Sequence, residues 1–311
     1  MTAATALTEP GDLQSEPSAT GTIRSVTVVS TGTVRIHPQQ VNGTWIPMLV
    51  WLLLSRRWTA PRPINVFVIE HVDGLVLFDT GQDRASITDP DYFPRGLTGL
   101  LYRRLARFQL APQDTLVARL AAAGHQASDV RFAILSHLHQ DHIGGISYLP
   151  NAEFIVADAE WQALEEARPE LHGFLRRHID LPGVRYRRIG FQPTDDLALA
   201  PFTSAHDVMG DGSLVLLPTP GHTPGSMSLL IRRPGRAALL LVGDLTYEAE
   251  LLVAGRIPGV GAKAGMRLAS AQVRRLRERH PDLVILPAHD PGAAARLRRA
   301  TGRVDESAER R

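Results

Sequence analysis

The sequence predicts an α/β protein in which two mixed β-sheets pack face to face and helices cover their outer surfaces. Short apolar runs with the length of buried strands occur in two blocks along the chain, and helical segments follow each block. No internal repeat or linker interrupts residues 25–300. We therefore expect one domain at residues 23–303, between a flexible N-terminal tail at 1–22 and a charged C-terminal tail at 304–311.

The first block contains a predicted β-hairpin. Val26–Val29 is a β-branched run, and the apolar runs Asn65–Ile69 and Leu75–Phe78 lie on either side of Val72-Asp73-Gly74. An Asp-Gly pair between two apolar runs is a strong signal for a hairpin. Asp79-Thr80-Gly81 then ends the second strand of that hairpin.

Helices and strands alternate in the rest of the first block. Each predicted strand is a short buried apolar run, and each predicted helix is longer and carries polar residues. Helices are predicted at Leu101–Phe108 and Ala159–Glu166, and Pro112-Gln113-Asp114 leads into a further helix that ends at about Ala123. Strands are predicted at Phe132–Leu135 and Phe154–Ala157.

The second block is richer in leucine. An amphipathic pattern predicts a helix at Met266–Glu278, and Pro291 begins a C-terminal helix. Four apolar runs predict strands at Leu214–Leu217, Met227–Ile231, Ala238–Val242 and Leu283–Leu286.

Composition excludes several classes of function. Among 311 residues, 34 basic and 32 acidic side chains leave a net charge of +2, so we expect no nucleic-acid partner. The absence of cysteine excludes disulfides and thiolate metal ligands. The N-terminus has no basic segment before an apolar one, and Trp45–Leu54 is too short to span a bilayer and contains Pro47. We expect a cytoplasmic protein without a membrane partner.

Metal-competent side chains follow the apolar runs. The first group is Ser136-His137-Leu138-His139-Gln140-Asp141-His142, which precedes the glycine pair at 144–145. Each further candidate also lies in a loop at the end of a strand, where a rigid scaffold commonly presents functional groups. These candidates are His222, Asp244 and His289. Imidazole and carboxylate ligands suit zinc, and also cobalt, manganese or iron.

The chain resembles the metallo-β-lactamase superfamily over about residues 65–289. The resemblance rests on four motifs in this order: His-x-His-x-Asp-His, Gly-His-Thr, Gly-Asp and a final histidine. The resemblance implies an αββα four-layer sandwich and two divalent metal ions. It implies one ion on His137, His139 and His222, and a second ion on Asp141, His142 and His289. It also implies that Asp244 bridges both ions and that Asp79 supports the site as a neighbour of the ligands.

Within this superfamily the chain is most similar to the N-acyl-homoserine lactonases. Asp244 stands where the common two-metal lactamases carry cysteine, and His139 stands where the flavodiiron oxygen reductases carry glutamate. Tyr247 lies three residues after the bridging aspartate, the spacing of the lactonases' catalytic tyrosine. Gln140 and Ser226 depart from the lactonase pattern, which has an aromatic residue and a histidine at these positions.

The resemblance implies a mechanism for a small-molecule lactone or ester. Two ions about 3.5–4 Å apart lower the pKa of a bridging water, and the resulting hydroxide attacks the carbonyl carbon. The phenol of Tyr247 would hold the developing oxyanion, and Asp141 would deliver a proton to the leaving oxygen. Tyr247 and Asp141 are thus the predicted catalytic residues.

Several alternatives stay open. The same ligands would serve a thioesterase of the glyoxalase II kind, an arylsulfatase or a phosphodiesterase. A nuclease resembling the tRNA 3′-processing enzymes fits the charge balance poorly, and a metal-binding module without activity would not need all seven ligands. Trp45–Leu54 would line a pocket for an acyl chain, belong to the core, or form the interface of a homodimer.

Overall fold

The computed structural model describes residues 21–302. The predicted tails at 1–22 and 304–311 lie outside the described residues, apart from 21 and 22, and the domain limits of 23–303 stay a prediction. None of the helices within 21–302 has the length and apolarity needed to cross a bilayer.

The first sheet has seven strands in the order β4-β1-β2-β3-β5-β6-β7. Neighbouring strands are antiparallel from β4 through β1 and β2 to β3, whereas β3, β5, β6 and β7 run parallel to one another. The strands are β1 (Ile23–Ile36), β2 (Arg62–His71), β3 (Gly74–Phe78), β4 (Ala106–Gln109), β5 (Val130–Ile134), β6 (Glu153–Ala157) and β7 (Arg185–Ile189).

The second sheet has six strands in the order β13-β12-β11-β10-β9-β8. Only β12 and β13 pair in parallel. The strands are β8 (Gln192–Pro193), β9 (Ser204–Asp207), β10 (Leu214–Pro218), β11 (Met227–Ile231), β12 (Leu239–Leu241) and β13 (Val284–Leu286).

Helices connect these strands. The longest is the predicted amphipathic one, which extends from Lys263 to Arg279. The helices are α1 (Pro38–Asn42), α2 (Met48–Leu54), α3 (Ala85–Thr88), α4 (Gly96–Leu105), α5 (Leu116–Ala122), α6 (Gln140–Ile143), α7 (Asp158–Leu164), α8 (Arg176–Ile179), α9 (Ala249–Val253), α10 (Lys263–Arg279) and α11 (Ala293–Thr301).

Three apolar clusters confirm the predicted layers. The central cluster joins the inner faces of both sheets, with Phe67 and Phe78 from the first sheet and Leu229 and Leu241 from the second. A second cluster lies on the outer face of the second sheet beneath α10. A third lies on the outer face of the first sheet beneath α5 and α7. Burial on both faces explains why these strands are continuous apolar runs rather than alternating ones.

The helix predicted at Leu101–Phe108 is wrong at its C-terminal end. Helix α4 ends at Leu105, and Ala106–Gln109 forms β4, in which Phe108 pairs with Val34 of β1. Pairing with the long strand β1 overrides the local helical pattern. The helix predicted after Pro112–Asp114 is confirmed, because these three residues form a 3₁₀ turn that leads into α5, which ends at Ala122.

The apolar segment Trp45–Leu54 combines several environments. Trp51 and Leu52 are buried, whereas Trp45 (87% exposed) and Leu54 (75% exposed) face outward. Met48, at the start of α2, lines the cavity described below. The segment therefore contributes to the core and to the cavity wall, and a homodimer formed through its exposed face stays a prediction.

Candidate metal centre

Strand ends bring the seven predicted metal ligands together at one edge of the sandwich. In the first sheet, β5 ends two residues before Ser136, and helix α6 carries Asp141 and His142. In the second sheet, His222 lies in the turn between β10 and β11, while Asp244 and His289 follow the parallel strands β12 and β13. The carboxyl ends of parallel strands meet at the same edge, which is where α/β proteins commonly place their sites.

Three imidazoles converge in the first group. Nδ1 of His139 lies 3.0 Å from Nε2 of His137 and 3.0 Å from Nε2 of His222. Nε2 of His139 donates to the carbonyl of His172 at 2.9 Å, so Nδ1 of the same ring carries a lone pair and no hydrogen. A lone pair directed at two other ring nitrogens is what a shared cation would require.

The second group contains one carboxylate and two imidazoles. Nε2 of His289 lies 3.3 Å from Oδ2 of Asp141, and Nε2 of His142 lies 3.9 Å from Oδ1 of Asp141. The ligand atoms of these three residues lie within 4.8 Å of one another. This group is therefore compact enough to hold one metal ion.

Asp244 lies between the two groups and uses a different oxygen for each. Its Oδ2 lies 3.5 Å from Nε2 of His222, while its Oδ1 lies 3.5 Å from Nε2 of His142 and 3.4 Å from Nε2 of His289. Oδ1 of Asp244 and Nε2 of His142 are buried and have no hydrogen-bond partner among residues 21–302. Buried polar atoms normally have partners, so these orphaned atoms fit a pair of metal ions with Asp244 between them.

The outer nitrogens of the second group are fixed by neighbouring acceptors. Nδ1 of His142 donates to Oδ2 of Asp79 at 2.8 Å, and Nδ1 of His289 donates to the carbonyl of Pro63 at 3.0 Å. Asp79 also accepts from the amide of Ser136 at 2.7 Å and from its hydroxyl at 2.9 Å. These bonds direct Nε2 of both rings into the cluster, as such outer contacts do in metal sites.

The electrostatics keep the first group of rings neutral and the acids ionised. Burial, with the neighbouring imidazoles, holds the pKa of His137 well below its usual value, and burial lowers the pKa of His222 to about 3. Burial opposes ionisation of Asp141, but its hydrogen bond to His289 and the nearby imidazoles lower its pKa to about 2. Neutral imidazoles and ionised carboxylates are the protonation states that bind metals.

Tyr247 lies at the edge of the cluster. The phenol is 4% exposed, and its ring stacks on His289 with 5.8 Å between ring centroids. Burial raises the pKa of Tyr247 well above its usual value, and the negative charges of Asp244 and Asp141 raise it further. A hydrogen bond to the Asp244 carboxylate contributes to this rise, so the phenol keeps its proton and acts as a donor beside the cluster.

A cavity of about 150 Å³ lies in front of the cluster, beside a wider groove of about 770 Å³. Gln140 is part of the cavity wall, and its Oε1 accepts from Nε2 of Gln82 at 3.2 Å. Apolar side chains form much of the remaining wall. They are Val34, Ile36, Met48, Leu105, Phe108, Leu171 and Val260.

The sequence analysis missed some residues beside the cluster. His172 was assigned no functional part, yet its side chain lines the cavity and its carbonyl orients His139. Gly173 lies against the same ring, where a Cβ would be 2.4 Å from Nε2 of His139. Glu160 was treated only as part of a helix, although it is 0% exposed and bonds to two ligand loops.

With this fold and this cluster, the protein is a metal-dependent hydrolase. A model of the metallo-β-lactamase superfamily matches residues 59–289, and the chain belongs to that superfamily. The resemblance stated from the sequence motifs is thereby confirmed.

Relatives at about 30% identity include proteins named as lactonases. The N-acyl homoserine lactonase AttM of Rhizobium radiobacter is 32% identical over 240 residues, covering 76% of this chain and 86% of the relative. A probable metallo-hydrolase of Mycobacterium tuberculosis is 34% identical over 250 residues, covering 73% and 74%.

Solved structures share the fold. An N-acyl homoserine lactone hydrolase with N-hexanoyl-L-homoserine at its catalytic metal centre has a TM-score of 0.68 at 22% identity, covering 87% of this chain and 94% of that one. AidC, described as a dizinc quorum-quenching lactonase, has a TM-score of 0.55 at 16% identity, covering 86% and 87%. These likenesses confirm the αββα architecture.

Proposed function

We propose that the protein hydrolyses the ring of N-acyl-homoserine lactones or similar lactones, using two divalent metal ions, with zinc as the expected metal. The observation that carries this proposal is the position of Asp244, which offers one oxygen to each ligand group. Relatives that bear the lactonase name support the choice of substrate. His137, His139 and His222 would hold one ion, and Asp141, His142 and His289 the other, with Asp244 shared.

When bound, such a pair of ions supplies an activated hydroxide and polarises the substrate carbonyl. The residues around it orient the lactone and move protons. Tyr247 faces the same cavity as the ligands, so its phenol would donate a hydrogen bond to the carbonyl oxygen as negative charge develops there. Asp141 lines the cavity too. Its ionised carboxylate would first accept the proton of the attacking hydroxide and then pass that proton to the ring oxygen that leaves.

The cavity wall fits an acylated lactone. Its apolar side chains, among them Met48, Leu105 and Phe108, would contact an alkyl chain. Gln140 is the polar exception. Because its Oε1 already accepts from Gln82, its NH₂ group is the part that can donate to a substrate amide.

One experiment tests the function directly. The purified protein is analysed for metal content and assayed with homoserine lactones of several acyl lengths, with p-nitrophenyl esters, a thioester, an aryl sulfate and a bis-aryl phosphate as comparisons. We expect about two metal ions per chain and the highest kcat/KM on a lactone. Turnover confined to the thioester, an aryl sulfate or the phosphodiester would replace lactonase with that alternative activity.

Replacing Tyr247 by phenylalanine tests the role of the phenol. We expect kcat to fall by about 10²–10³-fold, as it does when one donor to a developing oxyanion is removed, with metal content unchanged. Tyr186→Phe is a matched control, because Tyr186 donates to the carbonyl of Ile179 on the outer side of the first sheet. Equal turnover of Tyr247→Phe and the wild type on a good lactone would exclude this role.

A further inference from the structure

Glu160 is a buried carboxylate beside the metal cluster and is not one of the ligands. It lies in the first turn of α7, directly after the parallel strand β6, and is 0% exposed. Its Oε1 accepts from the backbone N–H of Leu138 at 2.9 Å, and its Oε2 accepts from the backbone N–H of Gly225 at 2.8 Å. Both carboxylate oxygens are therefore used by backbone donors.

Those two donors belong to two different ligand loops. Leu138 stands between His137 and His139, and Gly225 stands three residues after His222. The three histidines form the imidazole group that would hold the first metal ion. One carboxylate thus connects the loop from the first sheet to the loop from the second sheet.

The loop that carries His222 is fitted closely to α7. A Cβ on Gly225 would lie 2.3 Å from the backbone nitrogen of Glu160, so this position admits only glycine without movement. Thr223 contributes a further hydrogen bond to the Glu160 carboxylate. The loop is also closed internally, because Oγ of Ser226 accepts from the backbone N–H of Thr223 at 3.0 Å.

Burial raises the pKa of Glu160 to about 6, although the donated hydrogen bonds oppose that rise. At neutral pH the group is a carboxylate and accepts at both oxygens. An ionised acid that is removed from water needs such donors, and here the donors are the backbone of two ligand loops.

We propose that Glu160 is a positioning residue that fixes the separation between the His137–His139 segment and His222. It thereby sets the metal affinity of the group formed by these three histidines, and has little effect on the group formed by Asp141, His142 and His289. The inference rests on the metal assignment in the proposed function and not on the identity of the substrate. Outer residues of this kind typically change metal affinity by about 10–100-fold.

The test measures metal affinity in two backgrounds. His289→Ala removes a ligand of the second group and keeps the first, whereas His222→Ala does the reverse. Glu160→Gln is introduced into each, because glutamine keeps one acceptor but turns an NH₂ group toward a backbone N–H. Zinc dissociation constants are then measured on the metal-free proteins by competition with a chromophoric chelator.

We expect Glu160→Gln to weaken zinc binding by about tenfold or more in the His289→Ala background, and by less than about threefold in the His222→Ala background. Equal loss in both backgrounds, or no loss in either, would overturn the proposal. Asp211→Asn is the matched control, because Asp211 also joins two segments by accepting from Ser213 and contacting His71, at the hairpin between β2 and β3. It should leave both constants unchanged.

If Glu160→Gln does not fold, Glu160→Asp provides the same comparison, since it keeps both oxygens but shortens the side chain by one methylene. We expect a smaller loss with the same selectivity for the His289→Ala background. The readout is metal binding alone, so an absence of lactone turnover would count against the proposed function and leave this result interpretable.

Discussion

Asp79 combines an unusual backbone with a supporting role. Among residues 21–302 it is the non-glycine residue with a positive φ, 63°. Aspartate and asparagine tolerate this region better than most residues. Its carboxylate accepts from both Ser136 and His142, so the turn after β3 orients the loop after β5. The Asp-Thr-Gly sequence predicted the turn, and the resemblance implied a supporting role for Asp79 beside the ligands. Its partners Ser136 and His142 are known only from the structure.

Asp79→Asn separates the charge from the backbone conformation. Asparagine tolerates the same φ, but its neutral amide is a weaker partner for Nδ1 of His142. We expect zinc binding at the Asp141–His142–His289 group to weaken by about 10–100-fold. The measurement is a zinc titration of the metal-free protein, with Asp73→Asn in the exposed hairpin turn as the control. Unchanged zinc affinity in Asp79→Asn would show that His142 needs no charged neighbour.

For single residues, the sequence predicts the candidate ligands but not the contacts around them. His137, Asp244 and His289 are readable because a metal-competent residue follows an apolar run. Glu160 cannot be identified from the sequence, since its contacts with Leu138 and Gly225 arise only when helix α7 meets two loops from the two sheets. An acidic residue in the first turn of a helix is common for other reasons.

At the scale of elements, apolar strands were predictable, including the edge strand β13, whereas the charged or very short edge strands β7 and β8 were not. Apolar runs marked β10, β11 and β12, which lie inside the second sheet. The edge strand β7 has the sequence Arg-Tyr-Arg-Arg-Ile, and β8 is only two residues long. Short and charged edge strands discourage pairing with other chains. Because such strands contain few apolar residues, a search for apolar runs does not detect them.

The turn between β10 and β11 depends on a close approach to α10. Gly221 has φ 138°, and a Cβ there would lie 2.4 Å from the backbone nitrogen of Met266. Its carbonyl accepts from the N–H of Ala262, immediately before α10. Because His222 follows directly, the packing of this helix fixes the position of a proposed ligand.

Gly221→Ala should therefore affect both stability and metal binding. The positive φ alone costs about 1–3 kcal/mol for alanine, and the overlap with Met266 adds to that cost and displaces His222. Gly210→Ala is the control, since Gly210 has φ 78° and open space around its Cβ position. Urea unfolding and zinc titration of both variants would check this. We expect a loss of stability in both and weaker zinc binding in Gly221→Ala alone; equal zinc affinities would contradict it.

At the scale of the whole molecule, the proposed metal site is a connection between the two sheets. The first sheet supplies His137, His139, Asp141 and His142, and the second supplies the remaining three ligands. Without metal, the edge where the sheets meet holds several carboxylates and imidazoles removed from water, including orphaned atoms of His142 and Asp244. Such groups are costly when unpaired, so the metal-free fold should be held together chiefly by its apolar clusters.

Removing metal should therefore lower the thermal stability of the entire domain. A ligand that binds only the folded state at 1,000 times its Kd stabilises it by about 4 kcal/mol. Each kcal/mol corresponds to about 2–4 °C in Tm for domains of 150–250 residues, so one tightly held ion should raise Tm by about 8–16 °C. Scanning calorimetry of zinc-loaded and chelator-treated protein measures the difference. The same treatment of a His222→Ala, His289→Ala double variant should change Tm little, because each group has then lost a ligand. If the Tm of the wild type is the same with and without zinc, the seven side chains do not join the sheets through metal.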